Sequence, residues 1–94
     1  MMPASGPTRL LLFVVNASPR SMLAIDNLHH AITELADRIF VLEIVNVYDD
    51  PERALAERVM VTPTLLAPAS SQRLVGDLSE LNQLRYFLQM LPAA

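Results

Sequence analysis

The sequence has 94 residues, enough for one small domain, and its seven arginines against ten acidic residues give a formal net charge of −3. That balance argues against nonspecific nucleic-acid binding, which requires a basic surface, and the apolar runs are shorter than the roughly 20 residues of a membrane-spanning helix. Cysteine and lysine are both absent, so the chain itself supplies no thiolate, no thiolate metal site and no Schiff-base lysine.

The first half of the chain has the pattern of a strand, a helix and a second strand. Residues Met1–Thr8 lack the basic start and apolar stretch of a signal peptide, and we expect a short disordered tail there. Arg9–Val15 is an almost continuous apolar run, typical of a strand covered on both faces. Ser18 is a good N-cap for a helix that begins at Pro19. Ile39–Val47 is rich in β-branched residues and predicts the second strand.

Between these strands, apolar residues recur at steps of three and four, as on one face of a helix packed against a sheet. This predicted buried stripe consists of Met22, Ile25, Leu28, Ile32, Leu35 and Ala36.

The second half predicts a short helix, a hairpin and a final helix. Asp50 is expected to cap a helix that runs from Pro51 to about Arg58. Thr64–Ala67 and Gln72–Val75 read as hairpin strands, because each is a short run bounded by turn residues.

The final helix is predicted to follow Gly76 and Asp77, with Ser79 as its N-cap and Pro92 as its end. Its expected buried stripe consists of Leu81, Leu84, Leu88 and Leu91.

Pro63 stands at the head of the third predicted strand, the position in a strand that tolerates a missing N–H. The Thr62–Pro63 bond is our candidate for a cis peptide bond, although a trans proline that ends a loop fits Pro63 alone equally well. The element order β-α-β-α-β-β-α is that of thioredoxin, and Pro63 falls at the cis-proline position of that fold. The sequence therefore predicts a single α/β thioredoxin-like domain over residues 9–92, with a mixed four-stranded sheet.

The polar residues form no catalytic constellation. Ser18 and Ser21 occupy the place of the Cys-x-x-Cys pair of redox-active thioredoxins, where two hydroxyls could bind an anion or hold a thiol substrate. Capping by Ser18 with a solvated Ser21 is the favoured interpretation. His29 and His30 point about 100° apart on a helix and therefore do not chelate one metal ion together. We predict no catalytic residue, metal site or cofactor.

Four segments resemble, in order and spacing, the KaiB family of clock proteins. They are Leu12–Ser21, Asn46–Glu52, Val61–Leu65 and Arg73–Ser79, and the resemblance extends from about Arg9 to Leu91. The Thr-Pro-Thr-Leu motif is common to many thioredoxin-like proteins, but its combination with the later Val-Gly-Asp-Leu-Ser is more specific.

The resemblance implies a cytoplasmic, non-enzymatic adaptor in clock or stress signalling, which binds a KaiC-like hexameric ATPase in competition with the related sensor domain of a histidine kinase. It also implies weak self-association, and a second fold in which the C-terminal half is rearranged. The partner contacts that we carry over are Arg20, Asp49, Thr62 and Arg73, and the structural positions are Ser18, Pro63, Gly76 and Asp77.

The chain departs from the clock proteins in its last helix, where Phe87 and Gln89 occupy positions that commonly carry glycine and aspartate. Glycine costs a helix about 1 kcal/mol relative to alanine. The segment from Ser79 to Leu91 is therefore expected to stay helical, and the chain to rest in the thioredoxin-like fold.

A hypothesis from another class is a glutathione-binding domain. The backbone of Thr62 would then bind the peptide, Asp77 and Ser79 would receive the γ-glutamyl group, and Ser18 would activate the thiol. A third interpretation is a thioredoxin-like scaffold without chemistry of its own.

Overall fold

The computed structural model describes residues 6–92, which form four strands and three helices. The strands are β1 (Thr8–Val14), β2 (Phe40–Asn46), β3 (Thr64–Ala67) and β4 (Gln72–Val75), and the helices are α1 (Pro19–Glu34), α2 (Pro51–Ala56) and α3 (Leu81–Met90). Residues 1–5 of the predicted N-terminal tail lie outside the described residues. Thr8, which the sequence analysis places in the tail, is instead a buried residue of β1.

The four strands form one mixed sheet in the order β2-β1-β3-β4. β1 and β2 are parallel and finish together, with Val14 opposite Asn46. β3 is antiparallel to both of its neighbours, so that its first residue, Thr64, lies between Phe13 of β1 and Val75 of β4. The end of the sheet at which β1, β2 and β4 finish is thus also where β3 begins. This arrangement confirms the predicted thioredoxin-like fold.

The core has two layers because β1 is covered on both faces, as its apolar sequence predicts. Leu10, Leu12 and Val14 contribute to the larger layer, which contains the buried residues of α1 and α3. Leu11 and Phe13 contribute to the smaller layer with Ala54 of α2.

The buried face of α1 is made largely of small residues. Ser21, Ala24, Leu28 and Ala31 are buried, whereas Met22 is 58% exposed and Ala36 is exposed. The prediction that Met22 and Ala36 are buried was therefore wrong. Successive helical residues differ by 100°, so when Ser21 points at the sheet Met22 points to its side.

α2 begins at Pro51 as predicted, and the side chain of Asp50 accepts a hydrogen bond from Arg53 N at 3.3 Å. The helix ends at Ala56, two residues before the predicted end. Arg58 has a positive φ of 57°, which a helix does not continue through.

The start of α3 differs from the prediction. Ser79 is not its N-cap: Glu80 holds that position without a side-chain hydrogen bond, and α3 begins at Leu81. The backbone of Leu78 has a φ of 64°, and Ser79 N donates to Asp77 Oδ1 at 3.0 Å. Leu81 is 40% exposed, contrary to expectation, whereas the other members of the predicted stripe, Leu84, Leu88 and Leu91, are buried.

The other end of α3 is held by Arg38, a residue of the loop between α1 and β2. Arg38 Nη1 donates to Leu88 O at 2.8 Å, and Nη2 donates to the hydroxyl of Thr8 at 2.8 Å. The guanidinium also lies 5.1 Å from the ring centre of Phe40. One arginine thus joins the last turn of α3, the start of β1 and the start of β2.

Candidate functional site

Three of the four predicted partner contacts lie around the end of the sheet where β1 and β2 finish. Arg20 is in the first turn of α1, Asp49 follows β2, and Thr62 immediately precedes β3. We call this region, formed by residues 15–22, 47–49 and 60–62, the strand-end surface.

The start of α1 is organised by two serines. Ser18 Oγ accepts a hydrogen bond from Ser21 N at 3.1 Å, which confirms the predicted cap. Ser21 is not solvated as we expected: it is 1% exposed, and its Oγ accepts from Val15 N at 3.1 Å. Both hydroxyl oxygens therefore accept hydrogen bonds from the backbone of the chain itself.

The loop before β3 is held from both sides. The Thr62–Pro63 peptide bond is cis, as predicted. Pro63 is buried, and its carbonyl accepts from Gly76 N at 2.9 Å. The hydroxyl of Thr64 donates to Val61 O at 2.7 Å. These bonds fix the backbone on either side of Thr62, whose side chain is half-exposed.

Gly76 and Asp77 connect this loop to α1. Gly76 has a φ of 115°, a conformation that side-chain-bearing residues rarely adopt. Asp77 O accepts from Asn27 Nδ2 at 3.0 Å. Hydrogen bonds from Ser79 lower the pKa of the Asp77 carboxyl below its usual value, and the nearby Arg20 guanidinium contributes to the same shift.

Arg73, the fourth predicted contact, lies elsewhere. It sits in the middle of β4, opposite Leu66, and its guanidinium donates to Glu57 O at 2.8 Å and Arg58 O at 3.2 Å. Its charge therefore stabilises carbonyls at the C-terminal end of α2. The structure does not bring Arg73 together with Arg20 and Asp49.

The strand-end surface has an apolar centre that sequence analysis missed. Two clefts adjoin Val15, one of about 390 Å³ that reaches Met22 and one of about 240 Å³ that reaches Met60. Met22 is 58%, Tyr48 77%, Met60 88% and Val61 52% exposed. Exposed apolar side chains grouped around adjoining clefts commonly mark a protein-binding surface. The signal available in the sequence was the apolar run before Pro63, which we interpreted only as a lead-in to β3.

The described residues contain no group of three or more His, Asp or Glu side chains placed to hold a metal ion. His29 and His30 lie on the exposed side of α1, beside Asp26. In the part of the chain that the structure describes, no helix has the length and apolarity needed to cross a membrane.

Comparisons of the chain with a family model and with individual proteins point to the same family. The family model described as the KaiB domain matches residues 11–90. The chain is 35% identical over 85 residues to the circadian clock protein KaiB3 of Synechocystis sp., a match that covers 88% of this chain and 83% of that protein. It is 29% identical over 84 residues to the circadian clock oscillator protein KaiB of Prochlorococcus marinus, covering 87% of this chain and 74% of that protein.

Among solved structures, the N-terminal domain of SasA from Synechococcus elongatus superposes with a TM-score of 0.74 at 29% identity, covering 100% of this chain and 94% of that domain. Chloroplastic thioredoxin z gives a TM-score of 0.70 at 19% identity, covering 88% of this chain and 76% of that protein, which supports the fold alone.

Proposed function

This chain belongs to the KaiB family, and we propose that it is a non-enzymatic adaptor that binds a KaiC-like hexameric ATPase in clock or stress signalling. The observation that carries the proposal is the strand-end surface, which contains exposed apolar side chains together with an exposed basic residue, Arg20, and an exposed acidic residue, Asp49. Protein interfaces combine such an apolar centre with a polar rim.

The polar groups near this surface favour binding over catalysis. The oxygens of Ser18 and Ser21 accept hydrogen bonds from backbone amides. The carboxylate of Asp77 accepts from Ser79 N, and its low pKa keeps it ionised at neutral pH. A general acid or base instead needs a pKa near the working pH. Ser18 and Asp77, two of the groups that glutathione recognition would use, are thus engaged within the fold.

The rigidity of the surface also supports an adaptor role. The β3 lead-in is fixed by the bonds of Pro63 and Thr64, and the start of α1 by those of Ser18 and Ser21. A surface that is already ordered loses little conformational entropy on binding, so more of its contact energy appears as affinity.

The proposal is tested by measuring affinity for the KaiC-like ATPase of the same organism, in ATP and in ADP. Met60→Asp places a charge at the apolar centre, and we expect it to weaken binding by about 30-fold or more, as for loss of a hot-spot side chain worth about 2 kcal/mol. Arg20→Glu is expected to weaken binding by about tenfold. Arg9→Glu, the same charge reversal on the exposed side of β1 near its start, is the matched control and should bind like the parent. Equal effects of Arg20→Glu and Arg9→Glu would remove the strand-end surface as the contact site.

A further inference from the structure

The outer edge of β4 carries four unpaired backbone groups. Gly76 N donates to Pro63 O, which makes these residues a hydrogen-bonded pair of the β3–β4 ladder. Hydrogen-bonded and non-hydrogen-bonded pairs alternate in an antiparallel ladder, so Leu74 also bonds to β3, while the N–H and C=O of Arg73 and Val75 point away from it. In the part of the chain that the structure describes, no other hydrogen bond engages these four groups. An extended chain that lies along β4 can therefore pair with all of them.

The β4 edge also lacks the features with which proteins usually keep other strands from pairing. These features are prolines, bulges and charges that point at an approaching strand. β4 contains no proline, and its pairs with β3 follow one another without a bulge. Its one charged side chain, Arg73, is turned towards the carbonyls that end α2. The edge is thus open to one additional strand, a common mode of peptide recognition.

One face of this edge is apolar. Leu74 packs against the core layer that contains α1 and α3. It also borders a groove of about 500 Å³, which Tyr86, Phe87 and Met90 of α3 complete. Tyr86 is 66% and Met90 58% exposed, and among the described residues no acidic side chain lines the groove. Apolar side chains of an added strand would be buried on this face.

The other face of the edge is basic. Successive side chains of a strand point to opposite faces, so Arg73 lies on the face away from Leu74. Its guanidinium donates to Glu57 O and Arg58 O, which are neutral acceptors. Arg73 remains exposed, and no carboxylate of the described residues forms an ion pair with it. A carboxylate on an added strand, directly opposite Arg73, would meet this charge, and such cross-strand pairs stabilise a sheet.

We propose that β4 is a docking site for an extended peptide segment of a partner protein, which adds to the sheet as a fifth, antiparallel strand. The segment alternates in character: apolar residues lie opposite Gln72 and Leu74, beside the groove, and an acidic residue lies opposite Arg73. A single carboxylate between apolar residues fits better than an acidic run, because the chain carries a net charge of −3.

The contact is small and separate from the strand-end surface. β4 has only four residues, so we expect a dissociation constant on the order of 200 µM, as for a weak, transient interface. Neither β4 nor the residues of the groove belong to the strand-end surface. A peptide on β4 therefore leaves that surface free, and this proposal stands or falls independently of binding to a KaiC-like ATPase.

Exchange of backbone amides with water, measured by NMR on the full chain, tests the docking site. The probe is the capped peptide Ser-Thr-Val-Glu-Val-Ser, whose glutamate lies opposite Arg73 in the proposed register. In the free chain, the amides of Arg73 and Val75 should exchange faster than that of Leu74. About 2 mM peptide should slow exchange of both about tenfold, because the protection is 1 + [L]/Kd.

Two results of this experiment would overturn the proposal. One is unchanged exchange of the Arg73 and Val75 amides at the highest peptide concentration. The other is protection of these amides that rises with the concentration of the chain when no peptide is present, which would assign the edge to a second copy.

A charge exchange tests the assigned register. The same peptide with lysine in place of glutamate should bind the parent chain about fivefold more weakly, because a favourable cross-strand pair becomes an unfavourable one. Arg73→Glu should reverse this preference, whereas Arg9→Glu, the matched reversal at an exposed residue of β1, should keep it. If Arg73→Glu does not fold, Arg73→Gln should abolish the preference instead. Equal binding of both peptides to the parent, or equal effects of Arg73→Glu and Arg9→Glu, would contradict an acidic strand on β4.

Discussion

The role of Arg38 can be tested by Arg38→Ala. The substitution removes two hydrogen bonds of 2.8 Å from a half-buried cation, to Leu88 O and to the Thr8 hydroxyl, and a cation–π contact with Phe40. Hydrogen bonds to charged groups contribute about 1.5–3 kcal/mol each and an exposed cation–π contact about 0.5–1 kcal/mol. The low ends of these values sum to about 3.5 kcal/mol, and because the guanidinium is still partly hydrated we expect a smaller loss of about 2–3 kcal/mol.

Urea unfolding measures this loss. With an m-value of about 1.2 kcal/mol/M, near the low end for small proteins, the midpoint should fall by about 2 M. Amide exchange should increase first in the last turn of α3, where Arg38 binds the carbonyl of Leu88. Arg38→Lys keeps the positive charge but lacks the planar guanidinium that donates to two acceptors at once, and it should lose about half as much stability. If Arg38→Ala shifts the midpoint no more than Arg9→Ala at an exposed strand position, the tethering role of Arg38 is wrong.

Four further predictions concern stability and conformation. Ser21→Ala leaves the partly buried backbone N–H of Val15, just after β1, unsatisfied and should cost about 1–3 kcal/mol in urea unfolding, whereas loss of a solvated serine would cost almost nothing. Gly76→Ala places a side chain on a backbone with a φ of 115°, and we expect this strain to cost about 1–2 kcal/mol in the same assay. An unchanged midpoint would show that alanine is not strained at this position. The hydrogen bond from Arg85 lowers the pKa of Glu34 below 4.5, so the ion pair stabilises the fold above pH 4.5 and this stabilisation is lost as the pH falls further. Glu34→Gln should therefore flatten the pH dependence of stability in that range, and an unchanged sensitivity to acid would argue against the ion pair. Backbone chemical shifts should show helix over Leu81–Met90 in the free chain, and strand there would contradict a thioredoxin-like resting state.

Local chemistry made much of the fold predictable. The bounds of β3 and β4 agree with the prediction because both strands are short runs between turn residues. The starts of α1 and α2 agree because each follows a capping side chain and has proline in its first turn.

The errors arose where tertiary packing overrides a local pattern. Ser21 and Ala24 face the sheet, and Met22, one residue after Ser21, therefore points to the side and is exposed, although its hydrophobicity suggested burial. Ser79 resembles a cap, yet its N–H is bound by Asp77 and α3 begins two residues later.

The candidate site was partly predictable. The resemblance to the KaiB family placed Arg20, Asp49 and Thr62 around one end of the sheet, but it also grouped Arg73 with them. The structure instead places Arg73 beneath the end of α2, through bonds to residues 15 and 16 positions away in sequence. Contacts across such separations leave no periodic signal in a single sequence.

Binding of this chain to the KaiC-like ATPase of its own organism, followed by size-exclusion chromatography in ATP and in ADP, tests the adaptor function most directly. We expect a stable complex whose affinity depends on the bound nucleotide, and which Met60→Asp disrupts while Arg9→Glu does not. Absence of a complex in both nucleotides, with the chain folded as described, would contradict the proposed function.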